Sequence, residues 1–261
     1  MSVLVPPIHE FFVLAYSHHL AIRQKITFVN LDSYNQRHTN ETAYIIGAGP
    51  SIFFQNLKPL KDKLTFAVNS GYCACPWATF FVSDDRSVQN WSYFFRDLYY
   101  SRHTTALLYE DKFSDIPKGF NNKTVFFRHR TGYNITEEYE HENYPNRIWQ
   151  ARTSMGTAIH IAYIMGCRRI VLIGNDLCRV QGRRYFWQLY YSGRPYRKDT
   201  IAIDTFPRAM MDKHESDVDL LDIMNYWQSI SQELNSKCEV LNASKISILD
   251  CFPKIELKDI I

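Results

Sequence analysis

The sequence predicts an α/β fold: a Rossmann-like parallel sheet with helices on both faces and a small lid inserted near residues 178–215. Short apolar runs rich in β-branched and aromatic residues alternate along the chain with segments of helical periodicity. This alternation is typical of repeated β–α units. In addition, several predicted strands end in small polar residues, which indicates a ligand-binding edge.

The predicted strands follow the apolar runs in order. They lie at residues 44–46, 64–68, 78–82, 106–109, 124–127, 169–173 and 239–241. A short helix is expected at 52–60, after a glycine turn and up to Pro59. A longer helix is predicted at 154–165, where Met155, Ile159 and Ala162 recur near the helical period and Gly166 ends the pattern. Another long helix is expected at 218–234.

The chain divides into two predicted parts. Residues 1–42 are expected to form a helical extension, and residues 43–261 a Rossmann-like domain with its lid. The apolar segment 11–22 is too short to span a bilayer and is interrupted by Ser17, His18 and His19, so it predicts an amphipathic helix. The sequence leaves peripheral contact with the inner membrane face open.

Composition narrows the class of protein. The chain has 30 Lys and Arg against 27 Asp and Glu, a net charge of +3, which does not favour a nucleic acid partner. Its six cysteines follow no recognisable signal peptide and show no zinc spacing, so we expect reduced thiols, a cytoplasmic location and no metal site. We also expect no cofactor.

The most informative segment is AYIIGAGPS at residues 43–51. A strand running into Gly47 and Gly49 lets bare backbone approach a ligand, because neither residue has a Cβ. A helix beginning after it would favour a phosphate at its N-terminus. Three other strand ends also carry small polar residues, at 69–70, 83–85 and 174–176. Ligands of such sheets bind outside the carboxyl ends of the strands.

Two common nucleotide sites are not favoured by the motif. The third glycine of G-x-G-x-x-G would fall at Ile52, and Asn69 stands near the place of the acidic residue that binds an NAD ribose. No G-x-x-x-x-G-K-[ST] occurs in the chain, which argues against a P-loop kinase or ATPase.

The order of motifs resembles that of the bacterial sialyltransferases that cap lipooligosaccharides, a Rossmann-like family that uses CMP-sialic acid without metal. Its strand-GNGPS start is similar to residues 47–51, its strand-end asparagine to Asn69, and its third-strand polar contact to Asp84. Its T-S-G helix start, which holds the donor, resembles residues 153–156, and its G-x-D resembles residues 174–176. The resemblance implies a donor nucleotide site formed by Gly47, Ala48, Gly49, Ser51, Asn69, Asp84, Thr153, Ser154, Asn175 and Asp176.

The resemblance also implies two catalytic residues. In the family two lid tyrosines contact the leaving phosphate; Tyr185 matches the second, whereas Cys178 stands at the first. The family's catalytic histidine is matched by His214, just before a helix start. Lys213 and Arg208 lie near it in sequence, and both these cations and the helix N-terminus favour the neutral imidazole that a general base needs. The partners implied are a nucleotide-sugar donor and a glycan or other hydroxyl acceptor, and homo-oligomers occur in the family.

The same Gly-x-Gly-Pro-Ser and Gly-x-Asp-Leu features resemble a related superfamily that includes hydroxymethylpterin diphosphokinases. That alternative predicts a Mg²⁺-dependent pterin or nucleoside diphosphotransferase, with Asp84 or Asp85 and Asp176 as ligands. A third interpretation is a catalytically inactive nucleotide-binding accessory protein, because Ala48 and Cys178 replace the Asn and Tyr of the transferases.

Overall fold

The computed structural model describes residues 29–91, 93–109, 124–130, 147–149, 151–192 and 217–261. Nine strands occur in these ranges, all paired in parallel. They are β1 Val29–Asn30, β2 Thr42–Ile46, β3 Thr65–Val68, β4 Phe80–Ser83, β5 Thr105–Tyr109, β6 Thr124–Arg130, β7 Arg147–Trp149, β8 Arg169–Ile173 and β9 Glu239–Asn242. Two α-helices occur in the same ranges, α1 Ser154–Ile164 and α2 Asp217–Leu234.

The strands lie in the order β1–β6–β5–β4–β3–β2–β8–β9, and β7 also pairs with β6. From β2 the chain adds β3, β4, β5 and β6 on one side, and it later adds β8 and β9 on the other. The direction of winding therefore reverses between β2 and β8. In open α/β sheets this reversal opens the crevice in which ligands bind.

Side chains alternate between the two faces of the sheet. On one, which we call face A, Ala43 and Ile45 of β2 pack with residues of α1 and α2. On the other, face B, Tyr44 and Ile46 pack with aromatic residues from shorter helices. Helices therefore cover both faces, as predicted, and the strands are apolar on both sides because both sides are buried.

The helices of the two faces are of different kinds. Face B contacts residues from the 3₁₀ helices Pro50–Phe54, Asn69–Cys73 and Phe186–Ser192 and from the π-helix Tyr93–Leu98. On face A, α1 lies against α2 at a glycine: a Cβ placed on Gly156 would overlap the Tyr226 hydroxyl. Gly156 thus permits the close approach of the two helices.

Most predicted elements are confirmed within a residue or two, one expectation was wrong in detail, and two short strands were missed. The helix expected at 52–60 is divided into 3₁₀ helices at Pro50–Phe54 and Lys58–Leu60, because Gln55 between them is extended, at φ −115° and ψ 145°. The strands β1 and β7 were not predicted, since two or three residues are too few to show a period.

Several expectations fall outside the described residues. The helix at 11–22 and most of the lid, residues 193–216, belong to the parts of the chain that the structure does not describe. The domain boundary at residue 42 stays a prediction. Among the described residues, none of the helices has the length and apolar character needed to cross a membrane.

Candidate functional site

The glycine turn after β2 is joined to the loop after β8 by backbone hydrogen bonds. The Gly47 N–H donates to the Ile173 carbonyl and the Gly49 N–H donates to the Gly174 carbonyl, each at 2.8 Å. These are the two strand ends that flank the reversal of winding. The crevice predicted by the topology is therefore bordered by two loops that hold each other in place.

The glycines of this turn are required by the protein itself. A Cβ on Gly47 would lie 2.7 Å from the Gly174 carbonyl oxygen, and a Cβ on Gly49 would lie 2.6 Å from the same atom. We expected these glycines to admit a ligand. The structure shows another reason for glycine at both positions: the loop after β8 lies so close that a Cβ has no room.

A buried carboxylate accepts a hydrogen bond from the end of the glycine turn. Asp176 is 2% exposed, and its Oδ2 accepts a hydrogen bond of 2.6 Å from the Ser51 N–H. Burial raises the pKa of Asp176, and the hydrogen bond from Ser51 partly opposes that rise. The N–H that a phosphate was expected to use is therefore bound to a carboxylate, and the helix that begins here is a five-residue 3₁₀ helix.

Asn175 is fixed by two serines from the loop after β9. Its N–H donates to Ser244 Oγ at 2.9 Å, and its carbonyl accepts from Ser247 Oγ at 2.8 Å. Within the described part of the chain, Asn175 Nδ2 and Asp176 Oδ1 are buried without a hydrogen-bond partner. Buried polar atoms of this kind call for an explanation, and a bound ligand is one.

A second cluster joins three of the predicted donor-binding residues. Asn69, which follows β3 with φ at +48°, donates from Nδ2 to Ser154 Oγ at 3.2 Å. The Ser154 hydroxyl donates in turn to Asp84 Oδ1, and the Thr157 hydroxyl donates to Asp84 Oδ2 at 3.0 Å. Residues from the ends of β3 and β4 and from the start of α1 thus form one hydrogen-bonded network.

The start of α1 brings this network to the glycine turn. Thr153 is the N-cap, and its hydroxyl accepts a hydrogen bond of 3.2 Å from the Gly156 N–H, as cap residues commonly do. In the next position, Met155 places its Sδ 3.0 Å from where a Cβ of Gly47 would lie. The two clusters therefore adjoin at one edge of the sheet.

The two carboxylates after β4 have different partners. Whereas Asp84 accepts from the α1 hydroxyls, Asp85 caps the 3₁₀ helix Arg86–Asn90 by accepting from the Ser87 N–H at 2.9 Å and from its hydroxyl at 2.8 Å. Among the described residues, no group of three or more His, Cys, Asp or Glu side chains is arranged to hold a metal ion.

Tyr185 lies beside the glycine turn. The neighbouring Phe186 N–H donates to the Ala48 carbonyl at 3.0 Å. The Tyr185 ring stacks on Trp187, with centroids 5.3 Å apart and 9° between planes, and the Arg184 guanidinium carbon lies 5.4 Å from the Tyr185 centroid. The Arg184 and Tyr185 N–H groups donate to Gln188 Oε1 at 2.8 and 2.9 Å. The segment is thus held at the site by its backbone.

Of the two remaining positions discussed from the sequence, the structure describes Cys178 alone. The Cys178 thiol donates to the Ile246 carbonyl at 3.2 Å, and burial raises its pKa. It is therefore tied to the loop after β9. His214 lies outside the described residues, so its role as a base stays a prediction.

Sequence reasoning missed four residues of the candidate site, namely Thr157, Gln188, Ser244 and Ser247. Thr157 lies three positions after Ser154 on the same helix face, and this spacing was the signal that could have revealed it. Ser244 follows β9, at another strand end. Gln188, which is 3% exposed, gave no signal, since its role depends on a chain reversal that the sequence does not indicate.

Comparison with known proteins adds a structural neighbour. The glycosyltransferase MAf from Magnetospirillum magneticum AMB-1 matches with a TM-score of 0.56 and 10% sequence identity over 99% of this chain. At that identity the likeness shows a common fold. The chain spans 40% of the length of that protein.

A match to a family model identifies the family of this chain. None of the curated proteins matched this chain significantly. A family model described as 6-hydroxymethylpterin diphosphokinase MptE-like matches residues 18–182, which is more than half of the 261 residues. The chain therefore belongs to the MptE-like family.

Proposed function

We propose that this protein is a transferase that binds a nucleotide-activated donor at the carboxyl edge of its sheet, between β2 and β8. The observation that carries the proposal is the hydrogen-bonded network of Asn69, Ser154 and Asp84 next to the glycine turn. Two comparisons support a transferase: the family is described by a diphosphokinase, and the structural neighbour is a glycosyltransferase.

Glycosyl transfer from a sialyl-type nucleotide sugar is the version we propose first. The donor would lie along Gly47, Ala48, Gly49, Ser51, Asn69, Asp84, Thr153, Ser154, Asn175 and Asp176. The position of Tyr185 supports this version, because its segment is bonded to Ala48 in the turn and a phenol there would be able to donate to an oxygen of the departing phosphate.

The proposed reaction requires one proton transfer to a base. His214 would take the proton of an acceptor hydroxyl, and the resulting oxygen would bond to the anomeric carbon of the donor. The bond between that carbon and the phosphate oxygen would break, and the nucleotide would leave with the bonding electron pair. Tyr185 would stabilise the charge on the phosphate, assisted by Arg184.

Diphosphoryl transfer is the second candidate, and the family match favours it. A Mg²⁺ ion would then offset the charge of the phosphates. Asp84 and Asp176 would be its ligands, because carboxylate oxygens suit Mg²⁺ and, among the described residues, Asp176 Oδ1 has no hydrogen-bond partner.

Thermal stabilisation by a ligand panel tests the proposal. CMP, CMP-sialic acid, UDP, GDP, ATP and a pterin are added to the purified protein, with Mg²⁺ or with EDTA. A rise in Tm with cytidine compounds in EDTA supports glycosyl transfer. A rise confined to ATP or the pterin with Mg²⁺ supports diphosphoryl transfer, and no rise with any compound contradicts a nucleotide site.

Single-residue variants test which side chains the ligand stabilisation and the turnover depend on. Ser154→Ala removes the hydroxyl between Asn69 and Asp84 and is expected to reduce the stabilisation, whereas Ser236→Ala, at an exposed position, is the matched control and is expected to keep it. His214→Ala is expected to abolish turnover and to leave donor binding nearly intact, because a positioned base contributes ~10²–10⁴ in rate. An unchanged rate would contradict the assignment of His214 as the base.

A further inference from the structure

We propose that Asp176 is a specificity-determining residue, whose buried carboxylate keeps phosphate out of the glycine turn and leaves the turn to the uncharged part of the donor. The phosphate would then bind on the side of the arginine hairpin, which we define as residues 179–184. This inference rests on the proposed function, because it assumes that a nucleotide binds at this edge.

The backbone donors of the turn support the inference. Anion-binding loops present several free N–H groups to the ligand. Here the N–H groups of Gly47, Gly49, Ser51 and Ile52 are bonded within the protein, and Pro50 has none. The turn therefore keeps at most the N–H of Ala48 for a ligand, which is too few for a phosphate cradle.

The Asp176 carboxylate competes with a phosphate for the donors of the turn. Asp176 Oδ2 accepts from the first N–H of the 3₁₀ helix, at Ser51, so a carboxylate oxygen already occupies the position that a phosphate oxygen would take. Oδ1 of the same carboxylate is buried and, within the described residues, has no hydrogen-bond partner. At a pH above the raised pKa of Asp176 the carboxylate is charged as well, and two anions near each other in a buried site repel strongly. A sugar or ribose hydroxyl carries no such penalty.

The arginine hairpin has the sign that a phosphate needs. It turns back at Gln181 and Gly182, both with positive φ, and an antiparallel bridge joins Val180 to Arg183. Residues 177–192 contain three arginines and no acidic residue. The hydrogen bond from Phe186 to Ala48 brings the base of the hairpin to the turn. Arginine guanidinium groups are well suited to phosphate oxygens.

Matched nucleoside and nucleotide pairs test the inference. The dissociation constants of cytidine and CMP, and of the uridine, guanosine and adenosine pairs, are measured in EDTA by calorimetry. Asp176→Asn keeps the shape and an acceptor for Ser51 but removes the charge. We expect it to tighten CMP binding about tenfold and to leave cytidine within about twofold. Asp62→Asn, at an exposed position, is expected to change neither.

A second variant keeps the test independent of whether D176N folds. In Arg183→Gln/Arg184→Gln, the advantage of CMP over cytidine is expected to fall about tenfold or more, because the charges that hold the phosphate are gone. An unchanged advantage in a folded D176N or in the arginine variant overturns the inference, as does Mg²⁺-dependent CMP binding that D176N abolishes. If no nucleoside or nucleotide binds to the wild type, the proposed function itself fails.

Discussion

At the scale of single residues, the site contrasts two carboxylates. Asp84 lies half-buried and accepts hydrogen bonds from the Ser154 and Thr157 hydroxyls. Asp176 is almost fully buried, and its Oδ2 accepts from the Ser51 N–H. Side chains of one chemical type thus meet different surroundings.

Asp176 is expected to make the free energy of unfolding depend on pH. Burial raises its folded-state pKa above the ordinary value of 3.8, so the native state keeps the proton to a higher pH than the unfolded state does. The associated stability is complete below 3.8 and is lost as the pH rises through the raised pKa. Urea unfolding of Asp176→Asn is therefore expected to show a gain over the wild type that grows between about pH 4 and pH 7. A difference that stays constant over that range would contradict the raised pKa.

Thr157 tests the network around Asp84. Thr157→Val removes a fully buried hydroxyl that donates to a carboxylate, and such bonds contribute about 1.5–3 kcal/mol. We expect a loss of that order in the free energy of unfolding, measured by urea denaturation. Thr39→Val, whose exposed hydroxyl bonds the Gln36 carbonyl, is the control and is expected to lose less than about 1 kcal/mol. Equal losses in both variants would argue against the charged acceptor.

At the scale of elements, the glycine turn shows what sequence reasoning captures and what it does not. The strand, its end at Gly47 and the cluster of polar strand ends could be predicted, because periodicity and strand-end chemistry are local properties. The partner of the turn could not be predicted. The Ser51 N–H can bond to Asp176 only because β2 and β8 are neighbours in the sheet. The two residues are 125 positions apart in sequence.

Two glycine substitutions separate crowding from backbone strain. Gly47→Ala would place a Cβ against the Gly174 carbonyl, and we expect a loss of about 2–3 kcal/mol, as for other overpacked sites. A Cβ at Gly182 would meet no atom within 4 Å, and the residue has a φ of +72°. For Gly182→Ala we therefore expect only the cost of a left-handed alanine, about 1–2 kcal/mol. Urea denaturation measures both. A loss for Gly47→Ala no greater than that for Gly182→Ala would show that the two loops can move apart.

At the scale of the whole molecule, one sheet supports two cores. The alternation of side chains in β8 places Leu172 in the core of face A and Ile173 in that of face B, and both are fully buried. The all-parallel topology could be predicted from the alternation of strands and helices. The 3₁₀ and π helices of face B could not, because such short segments have no period of their own and are shaped by the sheet they cover.

Since both cores share the strands, we expect the described domain to unfold as one cooperative unit. Leu172→Ala and Ile173→Ala each remove a buried side chain and are expected to cost about 2–5 kcal/mol. In each variant, tryptophan fluorescence and far-ultraviolet circular dichroism should report the same lowered midpoint in urea. The fluorescence of the five tryptophans reports on both faces, because Trp227 packs on face A and Trp187 on face B. A variant with two separated transitions would mean that one face can melt while the other stays folded. The edge between β2 and β8, to which both faces contribute, would then not be a rigid binding site.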